Sequence, residues 1–156
     1  KNKEEKAMKF LVQIASNASV TVDEQVIGAI PFGYMVLIGV EDADTKEIAD
    51  KMIKKMLALR IFKDQNGKTN LSLDQVDGSL LLISQFTLYA DCRKGNRPSF
   101  IRSGSAAFAK EMYLYIIEKC KDAGVNVQTG EFGAEMKVSF TNEGPFTVML
   151  DSAELF

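Results

Sequence analysis

Two short, uninterrupted apolar runs constrain the fold of this chain more than any other feature. The first is YMVLIGV, residues 34–40, and the second begins the stretch SLLLISQFTLY, residues 79–89. Runs of this length without polar alternation are typical of strands buried on both faces of a sheet. Neither run is long enough to cross a bilayer. We therefore expect a sheet that other elements must cover, in a protein without a membrane span.

Two helical patterns can provide that cover. The first follows Asp44 and Glu47, which have capping-box spacing, and it predicts a helix over about residues 45–60. The second ends before Gly124, because glycine is typical of helix C-termini. The apolar positions that repeat at helical intervals are Ala49, Met52, Ile53, Met56 and Leu59 in the first pattern, and Phe108, Met112, Tyr115, Ile116 and Cys120 in the second.

Strand patterns open and close the chain. Apolar and polar residues alternate before the polar pair Asp23 and Glu24, and an apolar segment follows it, which predicts a hairpin. The closing strands are expected in VNVQTGEF and in EMKVSFTNEGPFTVMLDS. The predicted order is therefore strands, helix, strand, helix, strands, with no linker and no internal repeat.

This order defines the expected fold class. A chain of 156 residues fits one domain. We expect an α/β fold, a single domain over residues 8–156 with mixed or antiparallel β-sheets and two long helices packed on one side. Residues 1–7, KNKEEKA, are polar and lack periodicity, so we interpret them as an N-terminal extension with Met8 as the natural start.

The composition limits the chemistry. The chain has no histidine, which excludes Ser-His-Asp and Cys-His nucleophile systems and every zinc site that needs a histidine ligand. Cys92 and Cys120 are too far apart for a CxxC motif, and no secretory segment is recognisable, so we expect reduced thiols and a cytoplasmic protein. The net charge of −2 predicts no general attraction to nucleic acid, so such binding would need a local basic patch.

A polar group ends the second apolar run. Ser84, Gln85 and Thr87 follow four apolar residues, and strand alternation would place Gln85 and Thr87 on one face and Ser84 and Phe86 on the other. In one interpretation the hydroxyls only satisfy nearby backbone groups. In the other they line a pocket, where Thr87 is a nucleophile or part of an oxyanion site. A threonine nucleophile needs a base, and a lysine or carboxylate would have to replace histidine. Backbone N–H groups of Phe86 and Thr87 need no such base, so we prefer an oxyanion site.

A basic loop follows this strand end. The stretch CRKGNRPSFIR contains Arg93, Lys94, Arg97 and Arg102. It is either a solvated loop or a patch that contacts nucleic-acid phosphates, which would supply affinity without reading sequence.

Gly144 and Pro145 interrupt the last strand pattern, where glycine weakens a strand and proline removes a ladder donor. The pair is either a turn that leads into an edge strand or a cis Gly-Pro bond kept for a purpose. The sequence does not separate these two alternatives.

Taken together, these motifs resemble the D-aminoacyl-tRNA deacylase family. The signatures are SQFTLYAD, RKGNRPSF, TGEFGAEMKV and NEGPFTVMLDS, and the likeness extends from Met8 to Ser152. The resemblance implies hydrolysis of the ester between a D-amino acid and tRNA, a chiral proofreading reaction that needs no metal or other cofactor. It extends this expectation to glycyl-tRNA mischarged onto tRNA(Ala).

The resemblance also implies a homodimer. In the family a cis Gly-Pro is inserted from one subunit into the active site of the other, which places Gly144 and Pro145 against the substrate's α-carbon. An L-amino acid would then drive its side chain into this backbone, whereas a D-amino acid would point outward.

The same resemblance assigns the remaining site residues. Ser84 to Thr87 form the floor of a pocket for the 3′-terminal aminoacyl-adenosine, and Phe132 and Met136 lie near the adenosine. The catalytic group comprises Ser84, Gln85, Phe86 and Thr87, and Arg93, Lys94 and Arg97 meet tRNA phosphates.

One residue departs from the family pattern. Family members usually carry arginine directly after the glutamine of the first strand, and here Gln13 is followed by Ile14. Relatives that lack the arginine can hold the Gly-Pro bond trans and act on some L-aminoacyl-tRNAs. A deacylase of relaxed specificity is therefore one alternative, and a non-catalytic dimeric nucleic-acid-binding module is another.

Overall fold

The structure, a computed structural model, describes residues 7–156. The predicted extension lies outside the described residues except for Ala7, which is fully buried and whose carbonyl accepts a hydrogen bond from the Tyr89 hydroxyl. The strands are β1 Lys9–Val22, β2 Gln25–Gly39, β3 Phe62–Lys63, β4 Thr69–Leu71, β5 Ser79–Ser84, β6 Val127–Thr129 and β7 Lys137–Asp151. The α-helices are α1 Lys46–Ala58, α2 Ala106–Asp122 and α3 Ser152–Leu155.

Five strands form one mixed sheet in the order β6-β5-β2-β1-β7. The predicted hairpin is confirmed, since β1 pairs antiparallel with β2 and turns at Asp23 and Glu24, both of which have positive φ. β7 also pairs antiparallel with β1, whereas β5 runs parallel to both β2 and β6. The two apolar runs are therefore neighbouring parallel strands at the centre of the sheet, as their burial on both faces predicts. Strands β3 and β4 form a separate hairpin.

The two long helices pack on one face of the sheet, which confirms the expected arrangement. Their apolar stripes meet the inward-facing side chains of β1, β2 and β5 in the main core. Burying a large apolar side chain contributes about 1.5–3 kcal/mol, so this core is the main source of stability. The largest fully buried side chains include Phe10, Tyr34, Met52, Met56, Leu80, Leu82 and Ile116. The other face carries a smaller cluster around Val20, Ile30, Met35, Leu81 and Ile83.

The ends of the helices agree with the sequence except at one cap. α1 begins one residue later than Asp44 and Glu47 suggested, because the Thr45 hydroxyl accepts from Ile48 N and caps the helix. Asp44 instead accepts from Glu41 N at 2.8 Å. The end of α2 is as predicted, since Gly124, which has a positive φ, follows the C-cap residue Ala123.

The second apolar stretch is shorter as a strand than the sequence suggested. β5 ends at Ser84, and Phe86–Tyr89 form a single 3₁₀ turn. Strand alternation therefore does not apply beyond Ser84, because strand periodicity does not continue through a helical turn. The side chains of Gln85 and Thr87 nevertheless meet in a hydrogen bond. Within residues 7–156, no helix has the length and apolar character needed to span a membrane.

Candidate active site

A cavity of about 580 Å³ lies at the carboxyl edge of the three parallel strands. Because β2, β5 and β6 run parallel, their carboxyl ends meet at the same edge, and ligands of such sheets bind there. Ser84, Gln85 and Phe86 line this cavity from the end of β5 and the turn after it, and Phe132 and Met136 line it from the segment after β6. The structure thus brings together five of the residues predicted for the site.

The turn after β5 presents backbone donors beside the cavity. Gln85 N donates to the carbonyl of Ile38 at 2.8 Å, which ties the strand end to β2. The first N–H groups of a helical turn have no acceptor inside that turn. Among the described residues, the N–H groups of Phe86 and Thr87 have no hydrogen-bond acceptor. Two adjacent backbone donors are therefore available at the strand end, which is the composition of an oxyanion site.

Thr87 itself is exposed, and its side chain does not line the cavity. Its hydroxyl accepts from the Gln85 side-chain amide at 2.5 Å. The cavity wall contains no lysine or carboxylate, since every described side chain that lines it is uncharged. The arrangement lacks the base that a threonine nucleophile needs, and it suits stabilisation by backbone dipoles.

Small residues form the part of the cavity wall that the sequence interpretation missed. Ser103, Gly104, Ala106 and Ala109 line it from the start of α2 and the loop before it. Gly104 N donates to the carbonyl of Val40 at 3.0 Å, and this bond attaches the loop to the end of β2. The signal in the sequence was the run SGSAAFA, since small side chains leave room for a ligand.

The basic loop lies beside the cavity rather than in it. Arg93 forms a two-pronged ion pair with Asp91, at 2.9 and 2.8 Å, and this contact lowers the pKa of the Asp91 carboxyl well below its usual range. Lys94 and Arg97 are exposed, and the half-buried Arg102 donates to the carbonyl of Ala90. The loop therefore presents positive charge to solvent near the cavity.

The predicted Gly-Pro interruption is a bulge in β7. Register with β1 passes from Gln13 opposite Thr147 to Ala15 opposite Asn142, so one residue of β1 faces four of β7. The peptide bond between Gly144 and Pro145 is cis, whereas the relaxed-specificity alternative expected a trans bond.

Asn142 holds this bulge at its base. Its side-chain oxygen accepts from Phe146 N at 2.7 Å, and its side-chain amide donates to the Thr147 hydroxyl at 2.9 Å and to the Gln13 side chain at 3.4 Å. The two ends of the bulge are thus joined by one side chain, while Gly144 and Pro145 remain exposed.

Within one chain the bulge and the cavity do not meet. Neither Gly144 nor Pro145 lines the cavity, and β7 is three strands away from β5, a separation of roughly 14 Å at the usual strand spacing. Gly144 instead borders a second cavity of about 300 Å³, in which Ile14 is part of an apolar wall with Phe32 and Phe62. In residues 7–156, no three acidic or cysteine side chains are placed to hold a metal ion.

Comparisons with known proteins place this geometry in a family. Residues 11–151 match the family described as D-Tyr-tRNA(Tyr) deacylase. Relatives named D-aminoacyl-tRNA deacylase come from Clostridium novyi (strain NT), which is 53% identical, and from Clostridioides difficile (strain 630), which is 50% identical. Each alignment covers 96% of this chain and all of the relative.

Two solved structures share the fold. One is a c-Myc DNA unwinding element binding protein, with a TM-score of 0.85 and 36% identity over 91% of this chain and 97% of that one. The other is a probable eukaryotic D-amino acid tRNA deacylase, with a TM-score of 0.77 and 19% identity over 93% of this chain and 99% of that one. The extent of the family match and the identity over nearly the full length agree with the sequence resemblance. This chain belongs to the D-Tyr-tRNA(Tyr) deacylase family.

Proposed function

We propose that this protein hydrolyses the ester bond of D-aminoacyl-tRNA and releases the D-amino acid and tRNA. The observation that carries the proposal is an uncharged cavity at the end of β5, which Phe86 lines. The backbone N–H groups of Phe86 and of the adjacent Thr87 have no acceptor among the described residues. Such a site favours a reaction in which negative charge develops on a carbonyl oxygen. Ester hydrolysis is a reaction of this kind.

In the proposed mechanism, water attacks the ester carbonyl carbon and forms a tetrahedral intermediate. The N–H groups of Phe86 and Thr87 donate to its oxyanion, and Gln85 holds the Thr87 hydroxyl in place. The bond to the 3′-oxygen of the ribose then breaks, and that oxygen takes up the proton that the attacking water has lost. We assign the proton transfer to the substrate's own 2′-hydroxyl, because no titratable side chain of the described residues lines the cavity.

The terminal adenosine is proposed to bind between Phe132 and Met136. Both are half-buried cavity residues, and the Phe132 ring lies 6.0 Å from the buried Tyr113 ring, which supports its position. Aromatic and thioether side chains provide a surface for a nucleobase. The phosphates of the tRNA are proposed to meet Arg93, Lys94 and Arg97.

Selection against L-amino acids is proposed to need a second copy of the chain. Gly144 and Pro145 are exposed, are held at a fixed base by Asn142 and lie away from their own cavity. In a homodimer each bulge would enter the cavity of the other copy, where an L side chain would meet backbone atoms. We propose the cytoplasm, where aminoacyl-tRNA is used, as the place of action.

A non-catalytic nucleic-acid-binding module is the second candidate. The favouring observation is the 36% identity to a structure named as a DNA unwinding element binding protein. The two functions differ in one measurable respect, since only the deacylase releases an amino acid.

The deciding experiment compares D-tyrosyl-tRNA with L-tyrosyl-tRNA, with and without a chelator. We expect rapid, chelator-insensitive hydrolysis of the D-ester and little hydrolysis of the L-ester. Cleavage of both esters would support relaxed specificity despite the cis bond, and cleavage of neither would support the binding module. Glycyl-tRNA(Ala) in the same assay tests the wider substrate range that the family suggests.

A further inference from the structure

Ile101 is a large apolar side chain on the surface that has no role in the proposed function. It is 86% exposed, more than any other large apolar side chain in residues 7–156. It belongs to the segment that joins the basic loop to the cavity wall, two residues before Ser103. Exposed apolar groups next to a ligand cavity often mark a contact surface.

The position of Ile101 is fixed by the backbone around it. Ser103 N and the Ser103 hydroxyl both donate to the carbonyl of Phe100, at 3.0 and 2.7 Å, and this closes a turn with Ile101 at its tip. On one side Ser99 pairs with Asp91, and on the other Gly104 is bonded to β2. The exposure is therefore a defined feature of the fold.

Ile101 is next in the chain to an aromatic pair that begins at the cavity wall. Phe86 lines the cavity and is also 54% exposed, and its ring packs edge-to-face on Phe100 with centroids 5.0 Å apart. Ile101 directly follows Phe100. We call Phe86, Phe100 and Ile101 the rim patch, since they lead from the cavity to the outer surface.

The positive charge in the loop that carries Phe100 and Ile101 favours a nucleic-acid ligand. Lys94 and Arg97 are exposed in the same loop, while Glu131 and Glu135 are exposed in the segment that supplies Phe132 and Met136 to the cavity wall. Sites for single-stranded nucleic acid combine a surface on which bases pack with basic groups that follow the phosphates. The rim patch has both properties on one side of the cavity.

We propose that the rim patch binds the nucleobase that precedes the terminal adenosine, with its phosphate towards Lys94 and Arg97. This proposal rests on the proposed function, because it takes the cavity as the site of the terminal aminoacyl-adenosine. The proposed ligand of this surface is single-stranded RNA. The protein then holds the substrate by two successive nucleotides, the terminal adenosine and the one before it.

The test compares the D-tyrosyl esters of adenosine and of the dinucleotide CpA. With the wild-type protein we expect kcat/KM to be about ten-fold higher for the dinucleotide ester, a typical gain for one packed base. In Ile101→Ser this gain should fall to about two-fold, and in Ile101→Phe it should persist or increase. Leu114→Ser, which changes another exposed apolar residue away from the cavity, should keep the ten-fold gain.

Binding of unacylated CpA and adenosine, measured by competition with a labelled CpCpA oligonucleotide, gives a readout that does not depend on hydrolysis. Tighter binding of CpA that is lost in Ile101→Ser, without hydrolysis of any ester, would support the rim patch and overturn the proposed function. Hydrolysis of both esters with equal efficiency would overturn the rim patch and leave the proposed function intact. The rim patch is also overturned if Ile101→Ser retains the ten-fold ratio, as expected were Ile101 a contact for another protein.

Discussion

The chain interrupts a strand in two places, and the two interruptions differ in what surrounds them. At the end of β5 the strand gives way to a 3₁₀ turn whose first residue, Phe86, lines a cavity of the same chain. In β7 the strand continues past a bulge whose tip, Gly144 and Pro145, is exposed. The first interruption borders the cavity that holds most of the predicted catalytic residues, whereas Gly144 of the second borders a separate cavity of about 300 Å³. In the proposed function, the catalytic part of the site is therefore complete in one copy, whereas the selective part needs a second copy.

The largest expected effect comes from Gly144→Ala. Gly144 has φ +129°, and an added Cβ would lie 3.0 Å from Phe146 N, so both the backbone and the tip of the bulge would be strained. We expect stability to fall by about 1–3 kcal/mol and kcat/KM on D-tyrosyl-tRNA to fall about a hundred-fold. Steady-state kinetics and urea unfolding measure the two effects.

Gly67→Ala is the matched control for this substitution. Gly67 also has positive φ, +75°, but an added Cβ would have no neighbour within 4 Å. It should lose stability to a similar extent and keep its kcat/KM. Unchanged kinetics in Gly144→Ala would show that the bulge does not enter an active site. The proposed selective role of the second interruption would then be wrong.

Asn142→Ala is expected to have the next largest effect. It removes the side chain that joins the two ends of the bulge and leaves the half-buried Phe146 N without its acceptor. We expect kcat/KM to fall about ten-fold and the free energy of unfolding to fall by about 1–3 kcal/mol. Discrimination between D- and L-tyrosyl-tRNA should decrease as well, because the bulge is no longer held at one position.

Asn142→Asp separates the two roles of this side chain. The carboxylate keeps the acceptor for Phe146 N but cannot donate to Thr147 or Gln13. An intermediate loss of discrimination is expected. If both variants discriminate as well as the wild type, Asn142 does not position the bulge.

A smaller effect is expected for Thr87→Ala at the other interruption. The change removes a hydroxyl that lies outside the cavity wall and keeps both backbone donors. Since one hydrogen bond contributes about 0.5–1.5 kcal/mol, kcat/KM should fall no more than about ten-fold. Loss of a nucleophile would instead cost about a million-fold. A covalent acyl-enzyme detected by mass spectrometry would refute the oxyanion mechanism.

The smallest effect is expected from the basic loop. Lys94→Ala and Arg97→Ala should each weaken tRNA binding by a similar factor for every amino acid and reduce the slope of log K against log salt by about 1. Lys110→Ala, an exposed change on α2, serves as the control. A slope that is the same in all three variants would remove the loop from the tRNA contact.

The helices and strands were largely predictable from sequence, because each depends on a local pattern. The apolar repeats around Met52 and Ile116 predicted α1 and α2, and the apolar run at residues 34–40 predicted the buried part of β2. The errors arose where two neighbouring residues, or two local structures, fit the sequence pattern almost equally well. Thr45 rather than Asp44 caps α1, and residues 86–89 turn where the pattern suggested a continued strand.

The candidate site was predicted less completely. Ser84, Gln85 and Thr87 were recognised as a polar strand end, but the run SGSAAFA did not by itself show that Ser103, Gly104, Ala106 and Ala109 would form another part of the cavity wall. That contact depends on a bond between Gly104 and Val40, residues 64 positions apart. Pairing over such a distance leaves no periodic pattern in the chain.

The sequence by itself determined most of the elements and the family and limited the chemistry that is available, because periodicity, motif order and the absence of histidine are properties of the chain alone. Only the tertiary structure decided which strand ends meet at the same edge of the sheet. The parallel alignment of β5 with β2 and β6 collects Ser84 and Phe132 at one cavity, and the antiparallel alignment of β7 with β1 carries Gly144 and Pro145 to the far side of the sheet. Strand pairing is set by hydrogen bonds and burial between distant residues, so it exists only once the chain has folded.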